Sequence, residues 1–110
     1  MNYYTQKLPI ELAKKLREAG MKMGLYHDIF ADNTGTTTTF AEVLDWLMSE
    51  KSYLIIILRS EGRWCYWVGL TTDYDSYDDT YEIEGEDFDT WHEAATKAIE
   101  KALEIISKTI

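Results

Sequence analysis

The stretch Ser52–Leu70, SYLIIILRSEGRWCYWVGL, most narrows what this chain can fold into. Tyr53 to Leu58 is apolar at both parities, the pattern of a strand covered on both faces. Ser60-Glu61-Gly62-Arg63 supplies a tight turn, with Gly62 open to a positive φ. In the run that follows, Trp64, Tyr66, Val68 and Leu70 fall on one face. Cys65 and Trp67 fall on the other, where Gly69 leaves a gap. Two strands, about 53–59 and 63–70, are therefore expected as an antiparallel hairpin.

Helices surround this hairpin in the sequence. Pro9 suits the first turn of a helix over about 9–19, where a missing N–H costs nothing, and Gly20 is a natural stop. Leu12, Ala13, Leu16 and Ala19 share one face of it. Thr39-Phe40-Ala41-Glu42 and Thr90-Trp91-His92-Glu93 both have the spacing of a capping box. The first opens a helix over about 40–50, with Phe40, Val43, Leu44, Leu47 and Met48 in one stripe and Trp46 off it. The second opens a helix over about 91–107, with Trp91, Ala94, Ala95, Ala98, Ala102, Ile105 and Ile106 on one face and Ile99 and Leu103 at its margin. Its alanines allow a close approach to a sheet.

Two stretches remain. Thr80–Glu84 alternates polar and apolar residues and suits a half-exposed edge strand. Met21–Thr38, with Gly24, Gly35 and four threonines in a row, reads as a loop, from which Leu25, Tyr26, Ile29 and Phe30 pack back onto the core as a short turn. The expected fold is α+β in a single domain spanning 1–110: a three-stranded antiparallel sheet (about 53–59, 63–70 and 80–84) with the helices mainly on one face. One hairpin that asks for cover on both faces points to a homodimer through the sheet.

Net charge is −9, and its placement matters more than its size. Thr71–Glu93 holds ten carboxylates and no Lys or Arg, whereas the rest of the chain sums to +1. Such a patch repels phosphate backbones and argues against direct nucleic-acid binding. Tyr74, Tyr77, Tyr81, Phe88 and Trp91 are interleaved with the carboxylates. Aromatics anchor and charges steer, so Asp73, Tyr74, Asp75, Tyr77, Asp78, Asp79, Glu82, Glu84 and Trp91 are the expected contacts to a protein partner, a basic one by charge. The competing reading is that the aromatics plug the end of the core.

Other chemistry finds little support. A calcium loop starting at Asp73 fails at position five, Tyr77, and at the required glycine, Asp78, so a solvated acidic face is the better reading. His27 and His92 have no sequence-visible nucleophile beside them, and Cys65, the single cysteine, reads as a small buried hydrophobe. No cofactor, metal or catalytic residue is expected. The N-terminus lacks the basic and apolar pattern of a leader, no apolar run is long enough for a bilayer, and a lone cysteine fits a reducing compartment. A cytoplasmic protein with no membrane association is expected.

From Tyr53 onward, YLIIILRSEGRWCYWVGL, the acidic connection and GEDFDTWHEAATKAIEKAL resemble the hairpin, third strand and helix start of HicB-type antitoxin domains. With the preceding helix, the order α-β-β-β-α is similar to the double-stranded-RNA-binding fold. Thr71-Thr72-Asp73 stands where those domains carry an aromatic–Pro–Asp segment. Across the whole chain, Ala13–Gly20, Thr39–Leu47, Trp64–Trp67 and Glu93–Ile99 resemble short uncharacterised proteins of gut bacteria, their phages and mobile elements. The first resemblance implies an antitoxin component, and the second implies no activity. The acidic charge itself offers a further alternative, a phage-type inhibitor that mimics nucleic-acid charge against a host defence protein. The residues themselves favour a non-enzymatic interaction or regulatory domain.

Overall fold

A computed structural model describes residues 3–30, 33–70 and 87–108. Among them the chain is α+β, with three α-helices and two antiparallel two-stranded sheets. A 3-10 turn, Tyr3–Thr5, precedes α1 (Ile10–Glu18), β1 (Leu25–Asp28) and β2 (Asn33–Thr36). Then follow α2 (Phe40–Lys51), β3 (Tyr53–Ser60), β4 (Arg63–Leu70) and α3 (Trp91–Lys108). The third strand expected at 80–84 lies outside the described residues. The chain divides within α2 into two compact units, Met1–Val43 and Leu44–Ile110.

In the first unit α1 buries Leu12, Ala13 and Leu16 and packs on β2. Pro9 is the N-cap residue rather than part of the first turn, and its carbonyl accepts the Ala13 N–H at 3.0 Å. The helix ends in a Schellman arrangement: Gly20 N–H donates to Arg17 O and Met21 N–H to Leu16 O, with Gly20 at φ +104°. The stretch expected to be a loop contains hairpin β1–β2, in register Leu25–Thr36, Tyr26–Gly35, His27–Thr34 and Asp28–Asn33. Of the four residues expected to pack back, Leu25 is half-buried, whereas Tyr26, Ile29 and Phe30 are exposed, Phe30 at 95%. The threonine run supplies the core instead. Thr36 and Thr38 are buried, the Thr36 hydroxyl donating to Gly24 O at 2.9 Å and accepting the Thr38 N–H at 3.2 Å. A buried hydroxyl with both roles filled costs little, which is how a polar run can line a core. Leu8 N–H to Thr38 O and Phe40 N–H to Gln6 O tie the leading segment to the residues before α2.

In the second unit β3 and β4 pair without interruption from Tyr53–Leu70 to Ser60–Arg63. Glu61 (φ 53°) and Gly62 (φ 80°) are both left-handed, as a type I′ turn requires, and that turn's twist matches the strands it joins. Residues of both parities are buried on β4, Tyr66 on one face and Cys65 and Trp67 on the other, in keeping with a strand covered on both sides. Gly69 does not leave a gap. The Trp67 indole lies over it, so that a Cβ there would stand 2.6 Å from the ring. Helix α3 packs on both strands, burying Trp91, Ala94, Ala95, Ala98 and Ala102. Ile99, expected at the margin, is fully buried with them. Helix α2 contributes Leu47 to this unit, whereas Met48, expected on its apolar stripe, is exposed.

Both threonine caps form as the spacing implies: Glu42 N–H donates to Thr39 Oγ1 at 3.4 Å and Glu93 N–H to Thr90 Oγ1 at 3.2 Å. At the other end of α3, Glu104 is held below its usual carboxylate range by the Lys108 ammonium, which bonds it at 2.9 Å, and by the charge of Lys101. Among the described residues, no helix is long and apolar enough to cross a membrane.

Candidate functional site

Eight of the nine residues expected to meet a partner, Asp73, Tyr74, Asp75, Tyr77, Asp78, Asp79, Glu82 and Glu84, lie outside the described residues. The ninth, Trp91, is described and buried. It is the first residue of α3 and only 3% exposed, with its ring edge-on to His92 at 5.7 Å between centroids. A side chain so enclosed belongs to the core.

Leu70 and Phe88, described residues on either side of 71–86, both meet β4. The chain leaves from Leu70, the last residue of the strand. It is back at Phe88, which pairs antiparallel with Trp64 on the edge of β4 away from β3. Phe88 N–H donates to Trp64 O at 2.7 Å and Trp64 N–H to Phe88 O at 2.8 Å. The Phe88 ring stacks on Tyr66, with centroids 6.1 Å apart. Arg63 fastens the same place from the side, donating to Asp87 O at 2.9 Å and approaching Asp89 Oδ1 at 3.4 Å. That ion pair is exposed, so its own energy is small; its geometric effect is to hold the return point. Arg59 lies over the Trp64 ring at 5.6 Å, adding a second cation to this corner.

Sequence reasoning assigned Arg63 to the turn and missed this role. Its partners are 24 and 26 positions away, and nothing local signals them. The exposed Ile29 and Phe30, between β1 and β2, were also missed, because apolar residues in a presumed loop were expected to be buried.

The other candidates lie on β1, α3 and β4. His27 sits on β1, and its Nδ1 is 3.3 Å from Thr34 Oγ1, its cross-strand neighbour. His92 is in the first turn of α3, so the two histidines belong to different units. Cys65 is a buried free thiol on β4. Among the described residues, no group of three or more His, Cys, Asp or Glu side chains could hold a metal ion. No protein-family model matches the chain, and neither the curated proteins nor the solved structures contain a match.

Proposed function

We propose that this chain is a non-enzymatic interaction domain whose acidic, aromatic segment, Asp73 to Glu84, contacts a basic protein partner. The observation that carries the reading is that the described residues on either side of it, Leu70 and Phe88, both meet one strand, β4. Leu70 and Trp64 are six residues apart on β4, which at the rise of a strand is about 20 Å. A stretch with no cation of its own is thereby presented from a fixed base, with Arg63 holding its return. Fixed attachment lowers the ordering cost of a contact, and concentrated like charge accelerates encounter with a basic surface. Trp91 contributes from the core, as part of the platform.

The third strand belongs to the same proposal. If the antiparallel register of the Trp64–Phe88 bridge continued, Glu84 would stand opposite Val68 and Glu82 opposite Leu70. Strand 80–84 would then extend the hairpin along β4.

The test is capture from lysate at low and high salt, by the native chain and by one carrying Asp73→Asn, Asp75→Asn, Asp78→Asn, Asp79→Asn, Glu82→Gln and Glu84→Gln. Capture of a basic protein that falls with salt and disappears in the neutralised chain is expected. Capture indifferent to both changes contradicts the reading. A captured protein that handles nucleic acid would specify charge mimicry.

A further inference from the structure

The structure assigns a second contact surface, the outer edge of β3, to pairing with another copy of the same chain. Backbone geometry on β4 shows which edge is open. Trp64 gives both its N–H and its C=O to Phe88, so those groups point away from β3. In an antiparallel ladder the direction alternates, so Cys65, Trp67 and Gly69 bond toward β3, to Leu58, Ile56 and Leu54. The backbone groups of Tyr53, Ile55, Ile57 and Arg59 must then point outward. Among the described residues no strand pairs along that side.

Except for Arg59 near one end, this edge lacks the features that keep sheet edges apart. It contains no proline and no lysine, its eight pairs with β4 run without a bulge, and Leu58 is 40% exposed. A long, regular, apolar edge of this kind either aggregates or is used.

The identity of the occupant comes from the residues. Leu54-Ile55-Ile56-Ile57-Leu58 reads the same in both directions. Two copies related by a twofold axis through Ile56 bring Ile55 opposite Ile57, Leu54 opposite Leu58 and Ile56 opposite itself. Like therefore meets like on both faces, as an isologous interface requires. The register also pairs the outward-pointing residues with one another, Tyr53 with Arg59 and Ile55 with Ile57, so every outward N–H finds a carbonyl. At the ends, a guanidinium faces a tyrosine ring, a favourable pair. Charge points the same way. The chain carries −9, but Tyr53–Ser60 holds no carboxylate, so two copies can meet here without setting acid against acid. The product is a four-stranded sheet, β4-β3 continuing into β3-β4 of the second copy.

Pairing through this edge rests on β3 alone and does not depend on the acidic segment. A chain that captures a basic partner but never self-associates would refute the edge alone; a dimer that captures nothing would refute only the acidic contact.

The experiment is sedimentation of the full chain across a concentration series, joined to thiol cross-linking in a Cys65→Ala background. Native chain is expected to pass from monomer to dimer as concentration rises. Leu58→Lys, at a position the monomer leaves partly exposed, is expected to weaken dimerisation about tenfold or more by placing a charge against Leu54 at both ends. Ile56→Cys is expected to yield a disulfide-linked dimer on mild oxidation, since the residue meets itself across a pair with Cα atoms about 4.5 Å apart. Leu58→Cys is not, because its own copy would be about 13 Å away. A native chain that stays monomeric throughout, or a dimer that cross-links through Leu58→Cys as readily as through Ile56→Cys, overturns the proposal.

Discussion

Hairpin β1–β2 pairs four residues on each side and hairpin β3–β4 pairs eight, and both set an aromatic ring over a glycine. In β1–β2 the ring is Tyr26, lying across the ladder on its partner Gly35, where a Cβ would stand 2.9 Å from it. In β3–β4 the ring is Trp67, lying along its own strand over Gly69. The environments differ. Tyr26 is 45% exposed and can swing away, whereas Trp67 is 7% exposed and has nowhere to go. The same small device is a surface cover in one hairpin and part of a packed core in the other. The longer hairpin is therefore the frame of its unit, and the shorter one is an ornament held by its threonines and by α1.

The sharpest way to break this comparison is to remove the rings. Trp67→Ala should cost about 3–5 kcal/mol by the usual cost of emptying a core site, and Tyr26→Ala less than about 1 kcal/mol. Urea unfolding monitored by circular dichroism would read both, and equal losses would end the distinction. The glycines come next. Gly69→Ala should destabilise by about 1–3 kcal/mol, the range for overpacking against an immobile neighbour. Gly35→Ala should fall within about 0.5 kcal/mol of the native chain, because the exposed tyrosine can yield.

Smaller effects sharpen the picture at the turns. Glu61 holds a left-handed conformation that costs most residues about 1–2 kcal/mol and asparagine less. Glu61→Asn should accordingly raise the urea midpoint, by about 0.5–1 kcal/mol in stability. An unchanged midpoint would mean that the turn does not tighten the ladder as described. Phe30→Ser, at the exposed tip of the other hairpin, should change stability by no more than about 0.5 kcal/mol.

The contrast also explains what could be read in advance. Strands β3 and β4 were legible because a run of apolar residues, a Glu-Gly turn and a second aromatic run leave little choice of register. The caps at Thr39 and Thr90 were legible because their chemistry is local. Hairpin β1–β2 was not, since Asn33-Thr34-Gly35-Thr36 has no apolar alternation. Its ladder rests on backbone pairing, on a ring over a glycine, and on hydroxyls buried with their bonds satisfied. Ile29 and Phe30 misled for a related reason: hydrophobicity argues for burial only where a neighbouring element offers cover. The concentration of acid between Thr71 and Glu93 was visible at once, but Arg63 fastening Asp87 and Asp89 required a contact more than twenty residues away. Trp91 was visible as an aromatic beside carboxylates, and its place at the first turn of a buried helix made it core.

Residue-resolved amide hydrogen exchange of the full chain, at low and high protein concentration, tests most directly the claim that β3–β4 is the frame and that its outer edge is used. The amides of Leu54, Ile56 and Leu58, bonded toward β4, should exchange only with global unfolding at either concentration, while those of β1 and β2 exchange by local opening and much faster. The outward amides of Tyr53, Ile55, Ile57 and Arg59 should become protected as concentration rises. Equal protection of the two hairpins, with outward amides indifferent to concentration, would contradict the account.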